Sequence, residues 1–367
     1  MKKDTSQVCI VTSEFPPAPG GIGTHAYQLA KYLQTSGFNV TVLCDQRESL
    51  EKEQSFDAGL AINVVRVSLK KLRVVMYFER ILKVFKIIKS SSTIIASGKF
   101  SLWLVAFMSL FYKRNYIAVV HGSEVNFSNT LLKKSVLVSL KRFKHIVAVS
   151  QFTKQLIAST FNNITVIPNG IDQVELNKIP DINLDIKGSP KLVTVGRLSE
   201  RKGQINVIKH LPQLIEQYPD IHYHCVGLPA IKDTLLQEAK SLGVLNHVTC
   251  HGTVSNKELK AFLKASDLFV MLSKTDKKGD VEGFGIAILE ANYFGLPAIG
   301  ALHCGIEDAI QEKETGHLIV YNDSKAFKHS VTEILNNKTS YSNHAKTWAE
   351  KHTWEVIISQ YIDVIKQ

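Results

Sequence analysis

Short β-branched runs alternate with segments of helical length along almost the whole chain. The first half gives VCIVTS, a helical stretch near 22–36, NVTVLC, INVVRVS, a helix near 72–90, TIIAS, a helix near 100–112, YIAVV, a helix near 129–142, HIVAVS and ITVIPNG. The second half gives KLVTVG, a helix near 203–218, IHYHCVG, a helix near 230–242, HVTCHG, a helix near 256–265, LFVML, the EGFGIAILE segment, PAIG and HLIV, and then helices to the end. This β-α order, written twice, predicts an α/β protein with two Rossmann-like, doubly wound parallel sheets. Two domains of ordinary size also suit 367 residues. The polar, proline-bearing stretch DQVELNKIPDINLDIKGSPK reads as the connection between them. The expected division is 1–172, a linker over 173–190, and 191–352, with the remainder helical. In such folds ligands sit outside the carboxyl ends of the strands. The expected site is therefore a cleft onto which both sets of strand ends open.

Five cysteines lie scattered, without a CxxC pair or a Cys/His ligand spacing, which predicts reduced thiols in a cytoplasmic protein and no metal site. MKKDTSQ runs directly into the first strand, so no signal peptide is expected. The longest apolar stretch, FSLWLVAFMSLFY at 100–112, is too short to span a bilayer. The net charge of +11 is unevenly placed: residues 1–180 hold 23 Lys+Arg against 11 Asp+Glu, and 66–144 alone hold 16 against 2. That density predicts a polyanionic neighbour: nucleic acid, an anionic membrane or a phosphorylated acceptor. The competing reading is a solvated basic face.

The loops after the strands carry the chemistry. SEFPPAPGGIG places Gly20, Gly21 and Gly23 before an amphipathic helix, where bare N–H groups and the helix dipole suit a phosphate. A dinucleotide fingerprint, with Asp45 as its ribose acid, fits less well, because three prolines lengthen the loop and the spacing is G-G-x-G. His121 ends a strand in VVHGSEVNF and is placed to face a ligand. In GRLSERKGQ, Arg197 and Lys202 flank a short loop before a helix, a diphosphate clamp in the making, and Gly196 and Gly203 allow close backbone approach.

EGFGIAILE raises its own question, because two carboxylates bracket an apolar run. Gly283 and Gly285 argue against a continuous helix from Glu282, so Glu282 is expected in a loop and Glu290 inside the helix. Two carboxylates aimed into one cavity suit vicinal hydroxyls. With a diphosphate clamp nearby, the implied ligand is a nucleotide-sugar.

These stretches, in this order, resemble the retaining GT-B glycosyltransferases with the E-x7-E signature, glycosyltransferase family 4. The resemblance covers nearly the whole chain: GGIGTHAYQLAKYL, HGSE, VSQFTKQLI, VIPNGID, VGRLSERKG, ASDLFVMLS, EGFGIAILEANYFGLPAIG, ETGHLIV and HTWEVIISQYIDV. It implies that Glu290 holds the ribose hydroxyls, that Glu282 lies by the donor sugar, and that Gly283, Phe284 and Gly285 line the donor site. Arg197, Lys202 and the backbone at Gly20, Gly21 and Gly196 would meet the diphosphate. His121 would lie by the transferred sugar, and the loops at Gly227 and His251–Thr253 would frame the base. The last helix, about 353–367, would cross back onto the first domain. The implied reaction is transfer of a hexose-type sugar from a UDP- or GDP-sugar to a hydroxyl of a glycan or lipid-linked acceptor, with retention and without a metal cofactor. Front-side attack, with the leaving phosphate helping to deprotonate the acceptor, is the mechanism usually described for the family. Cell-surface polysaccharide or lipopolysaccharide synthesis is the implied setting. One departure is Cys304, in ALHCGIEDAI, where the family commonly has a glycine.

The basic segment 66–89 has apolar residues at helical spacing between its Lys and Arg, which predicts a peripheral position on an anionic inner leaflet. Competing readings are a nucleotide-sugar epimerase, a phosphorylase, a nucleic-acid binder and a non-catalytic transferase-like subunit. A phosphorylase needs a pyridoxal-lysine site and a longer chain. Nucleic acid is disfavoured because aromatics are not interleaved as stacking platforms.

Overall fold

The computed structural model describes residues 6–367. The chain divides into two compact units: one runs to Gly170 and takes up Trp354–Gln367, and the other is Ile171–Thr353. Each is built on one parallel sheet with helices between its strands.

The first sheet comprises β1 (Gln7–Thr12), β2 (Asn39–Asp45), β3 (Asn63–Val67), β4 (Thr93–Ser97), β5 (Asn115–Val120), β6 (His145–Ala148) and β7 (Ile164–Val166), in the order β3-β2-β1-β4-β5-β6-β7. Its central strands read VCIVT and TIIAS and are buried almost end to end, as parallel strands covered on both faces must be. The second sheet comprises β8 (Lys191–Val195), β9 (His222–Val226), β10 (Val248–Gly252), β11 (Leu268–Met271), β12 (Ala298–Ala301) and β13 (Gly316–Ile319), in the order β10-β9-β8-β11-β12-β13. In both sheets the chain order reverses beside the first strand, which makes a topological switch point there.

The expected helices form, with ends shifted by a few residues, such as Arg73–Ile88, Lys99–Met108 and Gln204–Ile215. The sequence reading did not identify the helix Leu50–Ala58, LEKEQSFDA, which buries only Glu53 and so lacks an apolar stripe to announce it. Its signal is the Ser49 cap, whose side chain accepts from the Lys52 amide.

Residues 173–190, read as a linker, belong to the second unit. Lys260 Nζ donates to the Ile179 carbonyl at 2.6 Å, Asp181 pairs with Lys260 and Lys264, and Tyr293 Oη donates to Asn177 at 2.9 Å. The terminal helix Trp354–Lys366 packs within the first unit. It buries Trp354, Ile357 and Tyr361, and Tyr361 Oη lies 2.9 Å from His25 Nε2. Among the described residues no helix is long and apolar enough to cross a membrane, and no group of three or more His, Cys, Asp or Glu is arranged to hold a metal ion.

Candidate functional site

The strand ends of the second sheet are built from backbone approaching backbone. The Gly196 amide donates to Val226 O, and the Gly227 amide donates to Gly252 O, each at 2.8 Å. A Cβ on Gly227 would stand 2.2 Å from the Gly196 carbonyl oxygen, so glycine there is required by the neighbouring loop of this chain itself. The segment from Gly196 to Gly203 is tied down along its length. Gln204 bonds the Ser199 amide and the Arg197 carbonyl, the Lys274 amide donates to Arg201 O at 3.1 Å, and Asn206 Nδ2 donates to Leu272 O at 2.8 Å. Gly203 sits in the left-handed region at φ 75° and begins the helix Gln204–Ile215, whose first turn has no side-chain cap. An uncapped helix start of this kind is the type of terminus that suits an anion.

Gly285, also left-handed at φ 98°, starts the helix Ile286–Tyr293. Glu282 consequently lies in the preceding loop and Glu290 enters the second helical turn, as the two glycines lead one to expect. Lys202 Nζ stands 2.8 Å from Glu282 Oε2, and Arg201 Nη1 pairs with the same oxygen. Arg201 Nε also reaches Asp280 at 3.2 Å. Burial works to raise the Glu282 carboxyl, but Lys202 and Arg201 outweigh it and hold it below the usual carboxylate range. Glu290 has no such close pair: burial pushes it up to about 7, with only the Lys202 charge pulling the other way. Two carboxylates around one lysine are thus set apart, Glu282 fixed as an anion and Glu290 poised near neutrality.

The structure brings Lys202, Glu282 and Glu290 together. Arg197 is exposed, with no carboxylate partner among the described residues. The second cation on Glu282 is instead Arg201, a residue the sequence reading passed over, although it stands directly before Lys202 in SERKG. Phe284 is buried at 2% exposure, so its side chain packs in the interior.

At Cys304 the structure resolves the departure noted in the sequence. Cys304 is buried in extended backbone, and its Sγ donates to Ala301 O at 3.3 Å. The close approach falls one residue later: the Gly305 amide donates to Glu282 O at 2.8 Å, and a Cβ on Gly305 would lie 2.0 Å from the Gly283 oxygen. The glycine requirement therefore belongs to Gly305, and a side chain at Cys304 is accommodated. Thr253 is exposed after β10. The His251 ring turns to its neighbours, with Nε2 3.0 Å from His224 Nδ1 and the ring 4.4 Å from that of Phe262. Burial lowers it to about 4, so the imidazole is neutral at physiological pH.

In the first unit, Gly20 precedes the helix Gly21–Thr35, which has no side-chain cap, and a Cβ on Gly21 would meet open space. His121 follows β5. Its Nε2 lies 2.9 Å from Ser97 Oγ, its amide donates to Glu124 at 2.6 Å, and its ring stands edge-on to His25. Burial lowers it to about 4, so it presents a neutral ring and serves as no cationic clamp.

Comparison with known proteins supplies the context. The family model described as Glycosyl transferases group 1 matches residues 177–352, and that described as Glycosyltransferase Family 4 matches 19–175. A Mycobacterium tuberculosis protein named GDP-mannose-dependent alpha-(1-6)-phosphatidylinositol monomannoside mannosyltransferase is 26% identical over 382 residues, covering 98% of each chain. A Corynebacterium glutamicum protein named GDP-mannose-dependent monoacylated alpha-(1-6)-phosphatidylinositol monomannoside mannosyltransferase is 25% identical over 354 residues, 89% of this chain and 88% of that protein. The solved structure of Anabaena Alr3699/HepE with UDP and glucose superposes with a TM-score of 0.79 at 18% identity, covering 98% of this chain and 99% of that one. The architecture is GT-B.

Proposed function

The chain belongs to the family 4, group 1 glycosyltransferases, and from that premise we propose that it moves a hexose-type sugar, with retention, from a UDP- or GDP-sugar to a hydroxyl of a glycan or lipid-linked acceptor. The observation that carries the reading is Lys202, 2.8 Å from Glu282 and near enough to Glu290 for its charge to act on that carboxyl. In it, Lys202, Arg197 and the uncapped turn at Gly203 meet the diphosphate and take up charge as the leaving group departs. Glu290 accepts from the ribose hydroxyls. Glu282, held ionised, faces the sugar. The clamp is made of side chains and backbone, and metal-independent turnover follows from that reading. Relatives whose names specify phosphatidylinositol mannosides favour a lipid-linked acceptor in glycolipid or cell-surface polysaccharide synthesis.

A thermal-shift panel of UDP-, GDP- and ADP-sugars tests donor use. One of them should raise the melting temperature, since a ligand that binds only the native state stabilises it. No shift with any of them removes the reading, and hydrolysis or isomerisation of the donor without acceptor would favour an epimerase. The pH dependence gives a second check. Glu290 accepts hydroxyl protons best when ionised, so donor affinity should rise as pH passes upward through about 7, and Glu290→Gln should flatten the profile. The stability of the free protein runs the other way. A carboxyl raised from 4.5 to about 7 is still protonated in the folded state where the unfolded chain has ionised, so its contribution is lost as pH climbs through that window.

A cytoplasmic position on an anionic inner leaflet is part of the same reading. The basic segment 66–144 supports it, as do the exposed side chains Val74, Phe78, Phe107, Phe111 and Leu131. Flotation with anionic vesicles should be strong at low salt and weaken as salt rises. Salt-insensitive flotation, or none, counts against it.

A further inference from the structure

A cavity of about 320 Å³ opens in the first unit and is lined by Asp45, Lys70, Arg73, Tyr77, Arg80 and Phe100, among others. Its walls come from the ends of β1 and β2, the loop after β3, and the helices after β3 and β4. It thus straddles the switch point of the sheet, where open α/β folds bind ligands. Asp45, the sequence's poor candidate for a ribose acid, is here the partner of a buried arginine. Arg80 is 3% exposed, pairs with Asp45, and lays its guanidinium 4.1 Å from the centre of the Phe100 ring. Tyr77 stacks on Phe100 at 4.9 Å, extending that wall. The pairing leaves Arg80 Nε buried without a hydrogen-bond partner. Arg73 and Lys70 stand exposed at the rim. Asp45 offsets Arg80, and Glu79 lies 3.8 Å from Lys70, so Arg73 is the cation here without a carboxylate partner among the described residues, and arginine forks suit phosphate oxygens.

The same helix says where the rest of the ligand goes. Arg73, Met76, Tyr77 and Arg80 share the stripe that lines the cavity. Val74, Phe78 and Leu82 form another stripe, 78%, 61% and 53% exposed, with Leu72 70% exposed at the helix start. A water-soluble phosphosugar gives such a surface no partner, whereas an alkyl chain does.

We propose that this cavity binds the phosphate-bearing head of a lipid acceptor, with Arg80 and Arg73 on the phosphate and the apolar chain along Val74, Phe78 and Leu82. The proposal rests on the transferase reading for the word acceptor. The binding itself is tested separately from donor use. Dihexanoyl phosphatidic acid, kept below its micellar concentration, is titrated into the full chain by calorimetry, with inorganic phosphate and dihexanoyl phosphatidylcholine as parallel titrants. The phosphatidic acid should bind, and both other titrants should bind about tenfold or more weakly. Arg73→Gln, an exposed change that leaves the core untouched, and Arg80→Lys should each weaken it about tenfold. Lys133→Gln, basic but outside the cavity, should not. Inorganic phosphate binding as tightly as the lipid overturns the lipid assignment. Phosphatidylcholine binding as tightly overturns the anion site, as does unchanged affinity in both arginine variants. Nucleotide titration of the same samples keeps the two readings apart. A wild-type chain that binds nucleotide but not the phospholipid loses this site and keeps its transferase reading, whereas the reverse result removes the transferase reading and keeps the site.

Discussion

Lys202→Ala lowers kcat/KM by about a hundredfold to a thousandfold and weakens nucleotide binding by about tenfold. Lys202 does three things at once in the structure. It pairs with Glu282 at 2.8 Å, it is the one charge drawing the Glu290 carboxyl downward, and it extends from the loop that ends in the uncapped turn at Gly203. Removing it leaves Glu282 to Arg201 alone and takes away the cation assigned to the diphosphate. The larger loss falls on turnover because charge on the leaving phosphate grows toward the transition state. The Glu290 midpoint should also climb above about 7 in this variant, moving the pH profile of binding in the alkaline direction. Lys202→Arg, which keeps the charge, should recover part of the binding. Calorimetry with the preferred nucleotide and initial-rate kinetics read both effects, and wild-type values for the alanine variant would sink the site assignment.

Gly203→Ala destabilises the second unit by about 3 kcal/mol or more. Two costs add. The residue holds φ 75°, where an L side chain is disfavoured, and the new Cβ would stand 1.8 Å from the Leu272 carbonyl oxygen. That oxygen belongs to the residue just after β11 and accepts from Asn206, so neither side can move without breaking the seam between the two loops. Gly243→Ala is the matched control. It has φ 72° but open space around the added Cβ, so only the backbone cost of about 1–2 kcal/mol applies. Denaturant unfolding of the two variants separates steric clash from backbone strain. Equal losses would show that the contact with Leu272 does not matter.

Much of this architecture was legible from pattern. VCIVTS and TIIAS are continuous apolar runs because parallel strands are covered on both faces, and the glycines at 283 and 285 broke the helix where the carboxylate spacing said they should. The helix over 50–58 was not legible because it buries almost nothing, and pattern reading detects burial. The polar stretch 173–190 read as a linker because its anchors, Lys260 and Tyr293, lie far along the chain. Arg197 and Lys202 looked like an equivalent pair in the one loop. Whether an arginine at 197 or at 201 reaches Glu282, 81 residues from the latter, depends on how the loop after β8 turns against the loop after β11.

The amino-acid order by itself determined two β-α repeats, the glycine-marked turns at their strand ends, and an acid on either side of a helix start. Periodicity and turn chemistry are local, so they are written in neighbouring residues. Folding alone decided that Arg201 joins Lys202 on Glu282, that burial pushes Glu290 up to about 7, that the tight glycine is Gly305 beside Cys304, and that Asp45 faces Arg80. Each of these depends on distance and burial between segments remote in the chain, and electrostatic and steric energies follow spatial separation whatever the sequence separation.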